Sequence, residues 1–330
     1  MTSLHYTLQL FTLAKPASFS ATLFKVLAVV LMVLFSTTVL ANNTLVKEKL
    51  ENHTPIKSIN TDSIPLKNQR IISLAPHIIE MLFSLGVGKN VVATTEHSDF
   101  PEAANQVPRI GNYARLKIEK ILAYEPDLVI AWRLGNPLDD LARLKKLGVR
   151  IVYSDPKNLE DVADEMRLLG KLTGTSERAD ILANEYLAAL KNLRQKFANK
   201  SPITVFYELW SNPLTTVSNN AWPQQHLNVC GAINPFIEGI NDYPQIGLEQ
   251  VVIAKPQLII QPMSKGEPNP NAVNWLQWNE IPASIHKQLI QPNSDKLHRM
   301  TPRLLEELEK LCISIDNSRQ YYDELNKQAK

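Results

Sequence analysis

The chain has 330 residues, 44% hydrophobic and 21% charged, a globular composition that excludes a disordered polypeptide. Its formal charge of +2 comes from residues 1–41, where Lys15 and Lys25 face no acidic residue; the remainder carries 33 basic and 33 acidic residues. A surface balanced in this way excludes the electrostatic footprint of a nucleic-acid binder or of a protein held on an anionic membrane.

Lys25 precedes an unbroken apolar run, Val26 to Phe35, which gives way to Ser36-Thr37-Thr38-Val39-Leu40-Ala41. A charged start, an apolar centre and a small residue at the cut predict a secretory signal over residues 1–41, cleaved near Ala41. The run is short of the about 20 apolar residues that a membrane-spanning helix needs. An uncleaved anchor is the alternative, because the segment before the run is long for a signal. No cysteine lies near the cut, so a lipid anchor is not expected. The location expected is the periplasm of a Gram-negative bacterium. Residues 42–68 are polar, with Pro55 and Pro65, and read as a mobile spacer.

Arg70–Leu74 is the first expected strand, followed by an apolar helix from His77 to Leu85 that Gly86 stops. Val91–Thr95 is a strand, Ile118–Tyr124 a helix and Leu128–Trp132 a strand. Leu138–Leu147 is a helix, Val149–Tyr153 a strand and Asn158–Leu169 a helix. Alternation of this kind indicates βαβ units and a parallel sheet. Glu177–Ala198 differs: Leu182, Tyr186, Leu190, Leu193 and Phe197 make one stripe on one long helix, which fits a bridge between two lobes. Strands at Thr204–Leu209, Leu258–Ile260 and Leu289–Gln291 and a last helix at Arg303–Ile315 complete a second lobe. The expected fold is α/β, with two lobes on parallel sheets, residues 69–172 and 200–330. One helix within 173–199 joins them, and a ligand cleft lies between.

A repeat supports two lobes. Ile118-Glu119-Lys120-Ile121-Leu122-Ala123-Tyr124-Glu125-Pro126-Asp127-Leu128-Val129-Ile130 returns 130 residues later as Leu248-Glu249-Gln250-Val251-Val252-Ile253-Ala254-Lys255-Pro256-Gln257-Leu258-Ile259-Ile260. Each copy reads as a short helix with a glutamate at its start, a proline that ends it, and a buried strand. Tyr113 and Tyr243 keep the same offset.

No nucleophile elbow, zinc-helix, dithiol or phosphate-loop motif is present, and six scattered histidines remain after residue 41 without an i,i+4 pair. No enzyme activity, metal site or cofactor is therefore expected. What stands out is aromatic residues at strand ends and loops: Tyr113, Trp132, Trp210 and Tyr243. Ligands of open α/β sheets bind beyond the carboxyl ends of strands, where aromatic faces suit a flat ligand. Trp275 and Trp278 read as packing. Cys230 and Cys312, an even pair in an exported chain, read as a disulfide, with two buried thiols as the alternative.

Several of these segments resemble one family. Arg70–Pro76, Asp99-Phe100-Pro101 and Asp127–Arg133 with Gly135-Asn136 are similar to the periplasmic cobalamin-binding proteins of ABC importers. Asn228–Gly231, Ser294-Asp295, His298-Arg299, Thr301-Pro302-Arg303 and Cys312 continue the likeness. The resemblance implies capture of cobalamin or a related corrinoid by a monomer, and delivery to the importer's transmembrane subunits. It implies ligand contacts at Tyr113, Trp132, Tyr243 and the loop Asp295, Lys296, Leu297, His298, Arg299, docking through Glu119 and Glu249, and a family disulfide at Cys230 and Cys312. Two positions depart from the family: His97 stands where tyrosine is usual, and Thr215 where phenylalanine is, with Trp210 nearby as a substitute. His97 is expected at the ring's rim, with ligation of cobalt as the alternative. A binder of haem or ferric siderophore on the same fold is the rival reading, and an exported metal-dependent hydrolase a remoter one.

Overall fold

The structure, a computed structural model, describes residues 69–328 apart from Lys265 and Pro268. The expected signal peptide and spacer lie outside the described residues.

The first sheet is parallel and buried. Strand β1 (Ile71–Ser73) leads into α1 (Pro76–Ser84), whose opening proline occupies the first helical turn, where no donor is needed. Strand β2 (Val91–Thr94), α2 (Ile118–Ala123), β3 (Leu128–Trp132), α3 (Leu138–Lys146) and β4 (Ile151–Ser154) follow. The strand order is β2-β1-β3-β4, so the direction of winding reverses between β1 and β3. In doubly wound sheets that reversal opens a crevice at the carboxyl ends of the strands.

Helix α4 (Asp161–Thr173) ends at a left-handed Gly174 and is followed at once by α5 (Ser176–Phe197), the expected long helix. Its buried face is Ala179, Ala183, Tyr186, Leu190, Leu193 and Phe197, while Leu182 is only half-buried. The small residues are there because α4 comes close: a Cβ on Gly170 would collide with the Ala179 methyl. The start of α5 thus packs on the first lobe, where Arg167 of α4 meets Asp180 at 3.4 Å. Its end reaches the second lobe, where Lys196 pairs with Glu309 at 2.8 Å.

The second lobe holds β5 (Val205–Tyr207), a two-stranded hairpin of β6 (Trp210–Ser211) and β7 (Leu214–Thr215), and α6 (Trp222–Val229). Helix α7 (Leu248–Ala254), β8 (Leu258–Ile260), α8 (Pro282–Ile285), β9 (Leu289–Ile290) and α9 (Ser294–Leu297) come next. Helix α10 (Leu304–Gln328) closes the described chain. The sheet is parallel in the order β5-β8-β9. Strand β5 stops at Tyr207, so Trp210 does not end it as the sequence suggests; Trp210 starts the antiparallel hairpin and pairs with Thr215.

The repeat is structural in detail. Each copy forms its helix, then a left-handed residue before the proline, Glu125 (φ 42°) and Lys255 (φ 47°), then a strand beside the lobe's first strand. The residue after the proline fastens the two strands in both lobes. Asp127 Oδ2 accepts the Arg70 backbone N–H at 2.7 Å, and Gln257 Oε1 accepts that of Thr204 at 3.0 Å.

Helix α10 runs well beyond the expected end at Ile315. Its later buried face is Ser318, Arg319 and Tyr322, which a hydropathy pattern does not reveal. Arg319 donates to the carbonyls of Cys230 and Gly231, and Tyr322 to that of Gln257. The Cys230–Cys312 disulfide ties α10 to the end of α6 across 82 residues. Replacing both cysteines by alanine is expected to cost about 2–5 kcal/mol of stability in urea unfolding, through the freed loop. A loss below about 0.5 kcal/mol would show that Arg319 and Tyr322 hold the helix unaided.

Candidate ligand-binding cleft

The carboxyl ends of the first sheet carry an aromatic and polar cluster. Trp132 ends β3, and its indole lies over Gly135, where a Cβ would collide with the ring. His77, in the first turn of α1, meets the indole edge-on at 5.4 Å between ring centroids. His77 Nε2 shares a 3.0 Å hydrogen bond with Ser154 Oγ at the end of β4. Asn136 spans the winding reversal: its Oδ1 accepts the Trp132 N–H and its Nδ2 donates to the Leu74 carbonyl. These contacts fix the position of Trp132 before any ligand arrives.

Two loops extend β2. Arg109 forms a bridge with Thr94, and Gly111 with Leu116, which leaves Tyr113 at an exposed loop tip, 75% accessible. His97 is exposed and left-handed (φ 65°), in a turn held by Thr94 Oγ1 donating to Ser98 Oγ at 2.9 Å. In the second lobe, Trp210 is 65% accessible at the hairpin. Tyr243 is two residues from Gln245, which bridges Thr215, the hairpin partner of Trp210. Burial raises the Tyr243 phenol above its ordinary value, opposed by a hydrogen bond from the Trp222 backbone.

The residues 295–299 are held by the protein itself. Leu297 is wholly buried, and its carbonyl accepts the Trp222 Nε1–H at 3.0 Å. Lys296 pairs with Glu306 at 3.1 Å, and His298 Nε2 shares a 2.8 Å hydrogen bond with Tyr207. Asp295 accepts from Ser264 Oγ at 3.1 Å. Arg299 reaches across to the first lobe. Its Nη1 donates to Glu80 Oε1 at 2.7 Å, and its Nη2 pairs with Asp99 at 2.8 Å and donates to the His97 carbonyl at 3.1 Å.

Glu80 is the centre of that contact. It lies on α1 with only 5% of its surface exposed. Besides Arg299 it accepts from Arg303 Nη2 at 2.7 Å, Arg303 Nε at 3.2 Å and Thr301 Oγ1 at 3.2 Å. Arg303 also stacks on Phe100 of the first lobe, 3.8 Å from the ring centroid. Burial disfavours the Arg299 charge, and the hydrogen bonds to Glu80 and Asp99 more than offset it, so its pKa is raised. Sequence reasoning assigned Glu80, Asp99 and Arg303 no role. The available signal was one carboxylate inside the apolar stretch Pro76-His77-Ile78-Ile79-Glu80-Met81-Leu82-Phe83, which demands a buried partner.

Glu119 and Glu249 are exposed in the first turns of α2 and α7. Each helix precedes a strand and runs back against it, so each glutamate lies toward the carboxyl edge of its sheet. Trp275 is buried, with its Nε1–H donated to the buried carboxylate of Glu208, in the packing role expected. A cavity of about 520 Å³, lined by Glu160, Arg194, Lys200, Gln225 and Asn228 among others, includes none of the expected ligand residues. Among the described residues no three His, Cys, Asp or Glu groups are placed to hold a metal ion.

The sequence profile described as periplasmic binding protein matches residues 71–291. This chain belongs to the periplasmic binding protein family. It is 36% identical to the vitamin B12-binding protein of Vibrio cholerae over 249 residues, 75% of this chain and 89% of that one. It is 36% identical to the protein of the same name from Vibrio campbellii, covering 76% and 91%. The crystal structure of the Vibrio cholerae periplasmic vitamin B12 binding protein BtuF superposes with a TM-score of 0.70, over 76% of this chain and 98% of that one. The fold is also that of a haem-binding protein from Roseiflexus, at 24% identity and a TM-score of 0.67.

Three histidines of this periplasmic binding protein are held neutral, His77 and His226 buried and His298 half-buried. Burial lowers His77 and His226 to about 3 and His298 to about 4. Among the described residues, neither ring nitrogen of His226 has a hydrogen-bond partner. A histidine kept neutral in the fold binds fewer protons folded than unfolded. Its contribution is therefore fully present above pH 6.5 and is lost as pH falls toward 3–4. Each should cost about 1.4 kcal/mol per pH unit below 6.5. Urea unfolding at pH 7 and pH 5 is expected to show this loss, and His226→Leu to remove a share of it. A variant with the wild-type pH slope would place the acid sensitivity elsewhere.

Proposed function

We propose that this protein captures cobalamin or a related corrinoid in the cleft and delivers it to an ABC importer, without catalysing a reaction and without a resident cofactor. The observation that carries the reading is the placement of Trp132, Tyr113 and Tyr243 at the carboxyl edges of the two sheets. Large, rigid faces there suit a flat macrocycle. The 36% identity to vitamin B12-binding proteins supports the choice of ligand. His97 and Trp210 stand at the rim, where His97 contacts the ring. Asp295 faces its peripheral amides, while Lys296, Leu297 and His298 shape the loop behind it. Residues 69–172 and 200–330 act as the two binding lobes, with residues 173–199 as the link. The protein works as a monomer in the periplasm once a signal ending near Ala41 is removed.

Glu119 and Glu249 are the docking posts for the transmembrane subunits. Their position toward the carboxyl edges puts the docking surface on the side where the ligand sits, so the cleft faces the importer. Isothermal calorimetry should give one cobalamin per chain with a submicromolar Kd, at least about 8 kcal/mol. Trp132→Ala should weaken it by about 1–3 kcal/mol. Gly135→Ala, which forces the indole aside, should weaken it in the same direction. No heat with cobalamin alongside tight binding of haem would overturn the assignment.

The docking role separates from the ligand role in cells. Glu119→Lys with Glu249→Lys should abolish cobalamin uptake through the matching importer and leave the affinity of the isolated protein unchanged. Docking through glutamates calls for cations on the importer, so the two lysines would set like charges against each other on both lobes, at a cost well above the about 0.2–1 kcal/mol of one exposed pair. Normal uptake by the double variant would reduce the repeat to architecture.

A further inference from the structure

The interlobe cluster decides which charges the cleft offers. Arg299 and Arg303 lie between the lobes, and both are consumed by acidic groups. Glu80 takes both guanidinium groups at 2.7 Å, Asp99 takes Arg299 from the other side at 2.8 Å, and Asp295 lies 3.8 Å from it. Three carboxylates thus face two guanidinium groups. The pattern extends to the neighbouring loops. Arg133, next to Trp132, pairs with Asp155 at 3.0 Å, and Lys296 pairs with Glu306. Arg115, exposed on the Tyr113 loop, lies outside this network.

A ligand that bears carboxylates needs a cation to replace its lost hydration. Here the interlobe cations are already committed, and the local balance is negative. A ligand carboxylate would have to displace Glu80 from Arg299 and leave that carboxylate buried without its partner. Glu80, with 3% of its side chain exposed, would gain little hydration in exchange. Neutral amides meet no such obstacle, because Asp99, Asp295 and the loop carbonyls accept hydrogen bonds from N–H groups.

We infer that Glu80 and Asp99 are specificity-determining residues: by occupying Arg299 and Arg303 they make the cleft reject carboxylate-bearing rings and accept a ring whose edge carries amides. The inference rests on the reading of the cleft as the ligand site. It accounts for selection between two large flat ligands that the aromatic residues alone would not separate. It also gives Arg299 a role other than direct contact: it joins the lobes, and its charge is withheld from the ligand.

The test uses one ring in two charge states. Cobalamin is compared with its monocarboxylic acid, in which a single peripheral amide is hydrolysed, by calorimetry on the full protein, Asp99→Asn and Glu80→Gln. Haem is titrated in parallel. The wild-type protein is expected to bind the monocarboxylate about tenfold more weakly than cobalamin, the effect of one poorly compensated charge. Asp99→Asn should reduce that ratio to about threefold or less, with the monocarboxylate gaining further at low salt. Haem affinity should rise about fivefold or more in the same variant. Glu80→Gln should act in the same direction where it folds. Because it strips a buried cluster of its centre, Asp99→Asn, whose carboxylate is 34% exposed, carries the decision. An unchanged ratio and unchanged haem affinity in a cooperatively folded Asp99→Asn protein would overturn the inference. A wild-type protein that ignores cobalamin altogether would instead sink the proposed function, and the haem titration would still report on the charges.

Discussion

The relation of the two lobes depends on one buried carboxylate. Glu80 is set in an apolar helix of the first lobe, and among the described residues its hydrogen-bonding and charge partners come from the second. A buried ion pair of this kind contributes little net stability compared with an apolar substitute, but breaking it by removing one partner costs about 3–5 kcal/mol. It therefore disfavours any arrangement of the lobes that separates them. With the helix Ser176–Phe197 packed on both lobes, the cluster limits opening to a small range. Trp132, Tyr113 and Tyr243 are then held at near-fixed spacing, so the proposed cleft is formed before a ligand arrives.

The first lobe adds a second layer of fixation. Glu165 is raised above the usual carboxylate range, chiefly by burial, while the Asp155 N–H and the Ser154 hydroxyl oppose the shift. Ser154 bonds His77, and His77 meets Trp132. The indole is thus set by a chain of contacts that leads back to a buried acid, with Gly135 leaving the space it needs. The same residues explain why acid should loosen the protein. His77 and His298 lie on opposite sides of the lobe interface, and each would have to charge in an environment that contains Arg299 or disfavours any charge.

Much of this architecture was legible in the sequence, because it depends on periodicity and on proline. The repeat at 130 residues located two matching helix–strand units, and the β-branched runs located all seven strands of the two parallel sheets to within a residue or two. The long helix was visible as a stripe, although Ala179 and Ala183, too small to register as hydrophobic signals, do the packing in its first half. The last helix was cut short because its buried face turns to Ser318, Arg319 and Tyr322, whose burial depends on carbonyls at Cys230, Gly231 and Gln257 far away in the chain. The hairpin at Trp210 escaped notice because its strands are two residues long.

The candidate site was legible only in its aromatic residues. The loop of residues 295–299 was read as ligand contacts because those residues resemble a family pattern, yet most of its side chains are engaged within the protein. The pairing of Glu80 with Arg299 and Arg303 spans more than 200 residues and leaves no local trace beyond one misplaced charge. The most direct test of the account is a crystal structure of the protein with cobalamin. The account predicts the macrocycle between Trp132, Tyr113 and Tyr243, with Arg299 still within hydrogen-bond distance of Glu80. A ring bound elsewhere, or an Arg299 that has left Glu80 to hold the ligand, would contradict it.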